Sequence, residues 1–327
     1  MITDIPETLI HHENLQVNSR VLVNNQEIRL GKSLGKGGEG EVFSLTQNAV
    51  AKIYFDKACT IRQKKKIELL VSLNIRDPEI AAPTAVITDR RGNFCGYVMP
   101  KVKGTSIEKL MASPIPAERW IGWNRRNIVE ACYRIVSILN KVYTIQNHYI
   151  LIGDLNLGNF MSSSPGQVTL VDFDSVQIDD FPCPVGTEKF TPPEILKKEK
   201  NRRSLLLEQG NEDFSIAVLL FHILCGIHPF SRRGGDTPKE NILKGIFPYR
   251  ADGSVTELAP IAGNVAYYWA YLPDYICSAF CDSFNTKDYQ NGRTSVVQWS
   301  SLFAKYLKDF DSIVKHDSKA NDIVLNS

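Results

Sequence analysis

The sequence lacks three features that would place it in a special class of proteins. Its longest apolar run, residues 216–227, is too short to span a bilayer and is expected to form a buried helix. Its 7 cysteines include no CxxC pair, so we expect no disulfide framework, and a reducing cytoplasm is favoured. Its formal net charge of +2 gives no reason to expect nucleic acid or a membrane surface as a partner.

A secretory signal and internal repeats are missing as well. The first residues carry acids and no apolar core, so they do not predict a signal peptide. The chain has 327 residues, of which 43% are hydrophobic and 23% charged. This composition is typical of a globular protein that forms one large domain or two lobes.

The stretch between residues 150 and 175 concentrates the candidate chemistry. Asp154 and Asn159 follow a short apolar run, and the next β-branched run ends in Asp172 and Asp174. If the two runs pair as strands, the first three of these side chains come to one edge of the hairpin. Their oxygens are hard ligands that suit Mg²⁺ or Mn²⁺ bound to phosphate, although loops also favour Asp and Asn for their turn chemistry.

A glycine-rich segment lies near the N-terminus, where residues 34–43 read LGKGGEGEVF. A single GxGxxG pattern is weak evidence, and a glycine-rich hairpin turn would also account for it. In a dinucleotide-binding fold a helix should follow, but residues 49–54 read as a strand that contains Lys52. A lysine in an apolar strand needs an anion, because burying an unpaired charge is costly.

Periodicity predicts further elements around these segments. Hairpins are predicted around Asn24-Asn25 and between residues 84 and 99. Helices are predicted over residues 60–73, 126–146 and 295–308.

In their order, these segments resemble the protein kinase superfamily. The polar loop reads D-L-x-x-x-N before D-F, residues 186–194 read G-T-x-x-F-x-x-P-E, and residues 226–230 read G-x-x-P-F. The loop beginning G-D-L is similar to those of bacterial eukaryotic-like Ser/Thr protein kinases. The resemblance implies an α+β, bilobal protein-kinase-like fold, with a small antiparallel β N-lobe that has one helix and a larger, mainly α C-lobe. The implied parts are a flexible arm (1–16), the N-lobe (17–101), the C-lobe (102–310) and a disordered tail (311–327).

The resemblance also implies roles for individual residues. Asp154 would accept or orient the proton of the attacking hydroxyl, and Asn159 and Asp172 would hold Mg²⁺ (or Mn²⁺) ions that bridge the ATP phosphates. Lys52, paired with Glu68 on the first helix, would position the phosphates, unless Glu68 is a solvated residue on the helix face near residues 64–66. The other implied nucleotide-binding residues are Leu34, Gly35, Lys36, Gly37, Gly38, Gly40, Val42, Val50, Met99, Lys101 and Val102.

Residues of the second half of the chain also match positions of the family. Asp213 would brace the backbone of the catalytic loop, and Arg293 would pair with Glu194. Thr187 stands where Ser/Thr kinases carry a threonine beside the catalytic aspartate, which favours Ser or Thr acceptors over Tyr.

Four departures from the family pattern matter. Val50 stands where a small residue usually lies over adenine, which should tighten the pocket. Gly153 stands where an arginine usually receives an activation-segment phosphate, so we expect activity that does not depend on that phosphorylation. Asn156 stands where a lysine usually contacts the γ-phosphate, so we expect slower transfer unless Lys189 or an arginine of residues 197–203 replaces it. Asp174 stands in place of a glycine, which should hinder flipping of this segment or offer a further metal ligand.

The sequence therefore predicts a cytoplasmic enzyme that uses ATP and Mg²⁺ to phosphorylate Ser or Thr hydroxyls of a protein substrate. The missing arginine and lysine motivate a first alternative, a pseudokinase that binds nucleotide as a scaffold with little phosphotransfer. The G-D-L-x-x-x-N loop motivates a second, a small-molecule kinase. Bacterial relatives often act beside a dedicated phosphatase, which makes a cognate phosphatase a candidate partner, whereas no nucleic acid or membrane partner is expected.

Overall fold

The computed structural model describes residues 5, 7–112, 122–198, 204–260 and 265–316. The chain divides into two compact units. The first combines Met1–Lys103 with Thr169–Asp174 and Ile178–Phe181, and the second contains the rest of the chain. An antiparallel sheet dominates the first unit and helices dominate the second, so the predicted α+β, protein-kinase-like fold class is confirmed.

The first unit is built on a seven-stranded antiparallel sheet with the order β2-β1-β6-β7-β5-β4-β3. Asn24 and Asn25 both have positive φ values, 49° and 64°, and form the predicted tight turn between the first two strands. The strands and the α-helix of this part are β1 (Arg20–Val23), β2 (Gln26–Arg29), β3 (Ser33–Lys36), β4 (Gly40–Ser44), β5 (Ala49–Tyr54), α1 (Ile61–Ser72), β6 (Ala85–Thr88) and β7 (Phe94–Pro100), and a short 3₁₀ helix (Asp56–Ala58) precedes α1.

The two faces of this sheet differ in chemistry, because side chains alternate along each strand. One face forms an apolar core that includes Phe43, Ala51 and Ile53. On the other face, Lys52 lies opposite Val42 of β4 and opposite Tyr97 of β7. Strand register therefore places the lysine on the face away from the core.

The N-terminal segment is not a loose arm over residues 8–13, contrary to the prediction. The Ile10 amide donates to the Cys59 carbonyl at 2.7 Å, and the Ile61 amide donates to the Thr8 carbonyl at 2.9 Å. The Glu13 amide donates to the Asp89 carboxylate at 3.1 Å. Backbone pairing therefore ties this segment to the start of α1, where Thr60 caps the helix by accepting from the Gln63 amide.

The second unit is mainly helical, and its central helix α5 is buried along almost its whole length. The helix predicted over residues 126–146 is confirmed as α3 (Arg125–Tyr143), and its apolar stripe of Ile128, Ile135, Leu139 and Val142 is buried. The elements that remain are β8 (Thr105–Ser106), α2 (Ile107–Leu110), α3 (Arg125–Tyr143), β9 (Ile150–Leu151), β10 (Phe160–Ser162), β11 (Thr169–Leu170, which belongs to the first unit), β12 (Gln177–Ile178), α4 (Pro193–Leu196), α5 (Gln209–Cys225), α6 (Pro238–Lys244), α7 (Val265–Ala270), α8 (Asp274–Asn285) and α9 (Val296–His316).

The last helix is longer than the sequence predicts. α9 continues to His316, six residues into the stretch that was expected to be a disordered tail, while residues 317–327 lie outside the described part of the chain. Two of its aromatic residues, Phe303 and Tyr306, are buried, and Phe310 at the predicted boundary is buried as well. This burial packs α9 as far as the predicted boundary, and Asp311 and Ser312 just beyond it are exposed.

No helix in the described ranges combines the length and the apolar character that crossing a bilayer requires.

Candidate active site

Lys52 in the first unit is a buried lysine that contacts two aspartates. Its ammonium donates a hydrogen bond to Oδ1 of Asp174 at 2.8 Å and lies 3.5 Å from Oδ1 of Asp172. The lysine is only 8% exposed. Burial alone would lower its pKa, but the carboxylates of Asp174 and Asp172 outweigh this effect and raise the pKa well above the usual value.

The predicted ion pair between Lys52 and Glu68 is not formed in the described part of the chain. The Glu68 carboxylate lies 3.8 Å from the ammonium of Lys64, one turn away on the same helix, and about half of its side chain is exposed. The buried face of α1 includes Ile67 and Leu70. Because Glu68 follows Ile67 by one position, it points about 100° away from that residue around the helix.

Asp174 takes the position against the lysine that was assigned to Glu68. It is fully buried and accepts three side-chain hydrogen bonds, from Lys52 at 2.8 Å, Tyr97 at 2.7 Å and Tyr54 at 2.7 Å. Burial alone would raise the pKa of Asp174. The charge of Lys52 and the hydrogen bonds from Lys52, Tyr97 and Tyr54 outweigh this effect and lower it. Both carboxylate oxygens are thus occupied, which contradicts the idea of Asp174 as a further metal ligand.

The glycine-rich loop connects β3 and β4 as predicted. Gly35, Gly37 and Gly38 are exposed, and Cβ atoms at Gly35 and Gly38 would meet nothing within 4 Å. Gly40 differs, since a Cβ atom there would lie 2.3 Å from the Ile53 carbonyl oxygen. Glycine is therefore needed at the last of these positions for strand packing. Two further predicted nucleotide-binding residues of the loop, Leu34 and Lys36, are exposed.

The predicted adenine-binding residues lie on paired strands and in the segment after β7. Val50 lies opposite Met99 in the β5–β7 ladder, and both side chains are buried. The Lys101 amide donates to the Asn48 carbonyl at 2.9 Å. This amide is therefore not available as a donor to adenine, and the roles of the Lys101 carbonyl and of Val102 stay predictions.

Asp154 in the second unit is held by the segment that follows it in the chain. Its Oδ1 accepts a hydrogen bond from the backbone amide of Thr187 at 2.6 Å. The predicted proximity of Thr187 to the candidate catalytic aspartate is thus confirmed through the backbone of the threonine. The Asn159 side chain is buried and accepts from the Asn156 amide at 2.7 Å.

Asn156 has a structural role in this loop. Its Oδ1 accepts from the Gly158 amide at 2.8 Å, and its side-chain amide donates to the Asp154 carbonyl at 2.9 Å. Together with Asn159 it forms a reciprocal cap on a short 3₁₀ turn. Lys189 was the first residue expected to contact the γ-phosphate in place of the missing lysine, and its ammonium lies 5.7 Å from the centre of the Phe190 ring. The arginines expected as substitutes, in residues 199–203, lie outside the described residues.

Glu212, not Asp213, braces the backbone before Asp154. The Glu212 carboxylate accepts from the amides of Ile152 at 2.6 Å and Gly153 at 2.7 Å. Asp213 instead accepts from the Gln209 side chain. Its burial and the nearby charge of Glu212 raise its pKa to about 7, although the hydrogen bond from Gln209 and the charge of Arg293 act in the opposite direction. The prediction failed because the phase of α5 points the neighbouring acid at the loop.

Gly153 has a physical reason to replace the arginine of the family. Its φ is +76°, and a Cβ atom there would lie 2.4 Å from Cβ of Cys183. A side chain at this position would therefore require both a strained backbone and displacement of the buried Cys183. The close approach of these two segments excludes any larger residue.

The segment around residues 187–196 is anchored to the helices of its own unit. Arg293 forms the predicted pair with Glu194 through two hydrogen bonds of 2.7 and 2.9 Å, so this prediction is confirmed. The Ser215 hydroxyl donates to the Phe190 carbonyl at 2.8 Å, and Nε2 of His228 lies 2.7 Å from the Lys189 carbonyl. Burial lowers the pKa of His228 to about 4, so the ring is neutral and donates this bond.

Four residues of the site were missed at the sequence level: Tyr54, Gln63, Tyr97 and Glu212. Tyr54 stands two positions after Lys52 in β5 and therefore shares its face, a signal that strand alternation could have provided. Tyr97 needs the β5–β7 register, and Gln63 needs the packing of α1, where its side chain donates to the Tyr54 hydroxyl at 2.8 Å. Neither relation is local in the sequence.

The oxygen donors of Asp172 in the first unit and of Asn159 in the second unit are each of the kind that magnesium binds together with phosphate. No cluster of three or more potential metal-ligating side chains occurs among the described residues. Mg²⁺ usually takes only one or two protein carboxylates and completes its shell with water and substrate phosphates. Asp172, whose side chain is about half exposed, offers such a carboxylate, and Asn159 would offer an amide oxygen.

Comparison with known proteins adds independent information. A sequence profile of the protein kinase domain matches residues 28–297. The chain is 28% identical over 306 residues to the protein kinase YegI of Escherichia coli strain K12, covering 87% of this chain and 46% of the relative. It is 22% identical over 260 residues to the serine/threonine-protein kinase dkf-1 of Caenorhabditis elegans, covering 73% of this chain and 33% of the relative. The chain thus spans less than half the length of these curated relatives.

Proposed function

The chain belongs to the protein kinase domain family, and on this premise we propose that it transfers the γ-phosphate of ATP to Ser or Thr hydroxyls of a protein substrate. The observation that carries the proposal is the hydrogen bond from the Thr187 amide to Asp154. It joins the candidate proton acceptor to a segment that Glu194 and Arg293 anchor. Such a segment suits a polypeptide acceptor, and the similarity to dkf-1, a serine/threonine-protein kinase, agrees with Ser/Thr specificity.

Each residue has a distinct task in the proposed reaction. The acceptor oxygen forms a bond to the γ-phosphorus while the bond from that phosphorus to the β–γ bridging oxygen breaks, and ADP leaves. The hydroxyl proton passes to Oδ2 of Asp154, because Oδ1 already accepts from the Thr187 amide. Lys52 binds phosphate oxygens through its ammonium.

Magnesium, when bound, would neutralise the charge of the phosphates. Asp172 and Asn159 are the residues that would hold it. Their carboxylate and amide oxygens suit this ion. ATP and Mg²⁺ are thus proposed as cosubstrate and metal.

We further propose that the activity does not depend on phosphorylation of the segment between Asp172 and Glu194. Ser175 and Thr191 are 7% and 4% exposed. The Thr191 hydroxyl also donates to the Thr187 carbonyl at 3.1 Å. A phosphate at either position would have to displace packed structure, and Gly153 offers it no charge.

A second candidate function is a nucleotide-binding scaffold with little phosphotransfer. Its supporting observation is that Asn156, at the position of the family's lysine, is engaged in capping its own loop. A small-molecule kinase has less support, because the anchored segment 187–196 suits a polypeptide. The protein substrate, a cognate phosphatase and a cytoplasmic location stay predictions.

The test is incubation of the purified chain with γ-labelled ATP and Mg²⁺, with a generic Ser/Thr-rich acceptor protein. We expect label on the acceptor or on the chain, at serine or threonine, and its loss in Asp172→Ala. The matched control is Asp282→Asn, a change at an exposed aspartate outside the site. Nucleotide binding without transfer would favour the scaffold, and label on tyrosine alone would contradict the proposed specificity.

A further inference from the structure

The surroundings of Lys52 differ from those that the family resemblance implies. The family pattern assigns the partner of this lysine to an acid on the first helix, here Glu68. In the structure the ammonium instead donates to Asp174, which lies two residues after the candidate metal ligand Asp172. The partner of the lysine thus belongs to a loop and not to α1.

The contacts of Asp174 are those of a built site for a carboxylate. The side chain has no exposed surface, and its two oxygens accept from two tyrosine hydroxyls and the ammonium. Tyr54 comes from the same strand as Lys52, and Tyr97 comes from the neighbouring strand β7. Because buried polar groups are costly when they lack partners, this set of donors holds the carboxylate in one position.

Helix α1 contributes a neutral side chain, that of Gln63, to the surroundings of Asp174. The Gln63 side chain donates to the Tyr54 hydroxyl at 2.8 Å and to the Asp174 carbonyl at 3.3 Å. The Glu68 carboxylate faces Lys64 on the outer surface of the helix. The helix therefore supports the tyrosine and the loop, while it supplies no charge to the lysine.

We propose that Asp174 is the positioning residue of Lys52, holding the ammonium for ATP phosphates in the role that the family gives to a helix-borne glutamate. The inference rests on the proposed function in one respect, namely that Lys52 binds the nucleotide. Its consequence is that the lysine is positioned by the loop that carries Asp172. Displacement of α1 that leaves Gln63 in contact should not release the lysine.

The first test needs no nucleotide. Double-mutant cycles in the unfolding equilibrium compare Lys52→Met with Asp174→Asn and, separately, Lys52→Met with Glu68→Gln. We expect coupling of about tenfold or more in the unfolding equilibrium constant for the first pair, because each partner alone leaves a buried charge, and no measurable coupling for the second. Coupling of Lys52 to Glu68, or none to Asp174, would overturn the inference.

The second test measures binding of ATP with Mg²⁺ to the same variants, each checked for a folded state by its thermal unfolding. We expect Asp174→Asn to weaken binding about tenfold to a hundredfold, and Glu68→Gln to leave it within about twofold of the wild type. Unchanged affinity in a folded Asp174→Asn protein would show a merely structural role. Failure of the wild type to bind ATP would contradict the proposed function, while the unfolding cycles would still decide the pairing.

A relocated charge separates positioning from general stabilisation. Gln63→Glu places a carboxylate on α1 beside the same tyrosine and loop, so in the Asp174→Asn background it should recover part of the lost ATP affinity. Lys64→Glu, on the outer face of the helix, is the matched control and should recover none. Equal recovery by both changes would contradict a local effect on Lys52.

Tyr97→Phe leaves the Asp174 carboxylate in place and removes one of its hydrogen-bond donors. We expect a several-fold rise in the KM for ATP with no change in the KM for the acceptor protein. An equal rise in both constants would indicate general disturbance of the protein, and would count against positioning.

Discussion

The group around Lys52 in the first unit and the loop of Asp154 in the second hold their acids in different ways. Asp174 accepts from an ammonium and two hydroxyls, so side chains fix it. Asp154 accepts from a backbone amide, while Glu212 accepts from the backbone amides of Ile152 and Gly153 and from the Tyr143 hydroxyl. The first region should therefore be sensitive to changes of charge, and the second to changes of backbone geometry.

The two regions share one lesson about family patterns. In each, the acid that makes the supporting contacts is not the one at the expected position: Asp174 replaces Glu68, and Glu212 replaces Asp213. The task is retained because the backbone amides or the ammonium still require an anion. Which residue supplies it depends on the packing of the local helix or loop.

The largest expected effect comes from the acid that acts on the acceptor. Asp154→Asn should lower phosphotransfer by about 10²- to 10⁴-fold, because it removes the proton acceptor. ATP affinity should be unchanged, since the group around Lys52 is intact. Single-turnover transfer and equilibrium binding measure the two quantities. A large loss of ATP affinity with an intact fold would contradict the separation of tasks between the two regions.

The next effect separates Glu212 from its neighbour. Glu212→Gln should lower the free energy of unfolding at neutral pH by about 3 kcal/mol, because two buried amides lose a charged acceptor. Asp213→Asn should not lower it, since the bond to this side chain comes from the side-chain amide of Gln209, which an asparagine oxygen can also accept. Urea unfolding at pH 7.5 measures both variants. Equal destabilisation by the two changes would restore Asp213 as the brace.

Backbone geometry in the second region can be tested at Gly153. Gly153→Ala should destabilise the protein by about 2–3 kcal/mol, because the new Cβ atom would meet Cys183 at a positive φ. Gly38→Ala in the first unit is the matched control, because a Cβ atom there meets nothing within 4 Å. Thermal unfolding of both variants gives the comparison, and a tolerated Gly153→Ala would show that this approach is not tight.

The smallest expected effect is a dependence on pH from Asp213. Its pKa of about 7 in the folded protein exceeds its usual value of 3.8, so the folded state retains a proton that the unfolded chain has released. The free energy of unfolding therefore falls as pH rises between these values. From pH 5 to 6.5 this contribution is about 2 kcal/mol, and Asp213→Asn should remove it.

His228 provides the opposite trend and must be separated from Asp213. Its pKa is lowered to about 4, below the usual 6.5, so the unfolded chain binds a proton first and stability falls as pH decreases through this window. The difference between wild type and Asp213→Asn isolates the aspartate, since His228 is common to both. If the free energy of unfolding depends on pH in the same way in the variant, the titrating group is not Asp213.

Much of the fold could be predicted because its signals are local. The Asn24-Asn25 turn, the strand that carries Lys52 and the stripe of α3 follow from adjacent residues and short periods. The pair of Glu194 and Arg293 could be predicted only through the family, since 99 positions separate them. Family resemblance thus supplied the long-range contact that periodicity could not.

The missed contacts are those that depend on packing. Lys52 and Asp174 are 122 positions apart, and no local pattern selects this acid over Glu68. Similarly, Glu212 and Asp213 are adjacent acids in α5, and the sequence does not show which of them faces the loop before Asp154. α9 also extends beyond residue 310, where Asp311 and Ser312 are exposed and the sequence offers no buried apolar stripe that would indicate a helix.

The central claim is that Lys52 and a magnesium ion held by Asp172 together bind the phosphates of ATP. The most direct measurement is the affinity for ATP with and without Mg²⁺, in the wild type and in Asp172→Asn. We predict that Mg²⁺ strengthens binding in the wild type and that the variant loses this dependence while it keeps its fold. Absence of ATP binding, or the same dependence on Mg²⁺ in both proteins, would contradict the account.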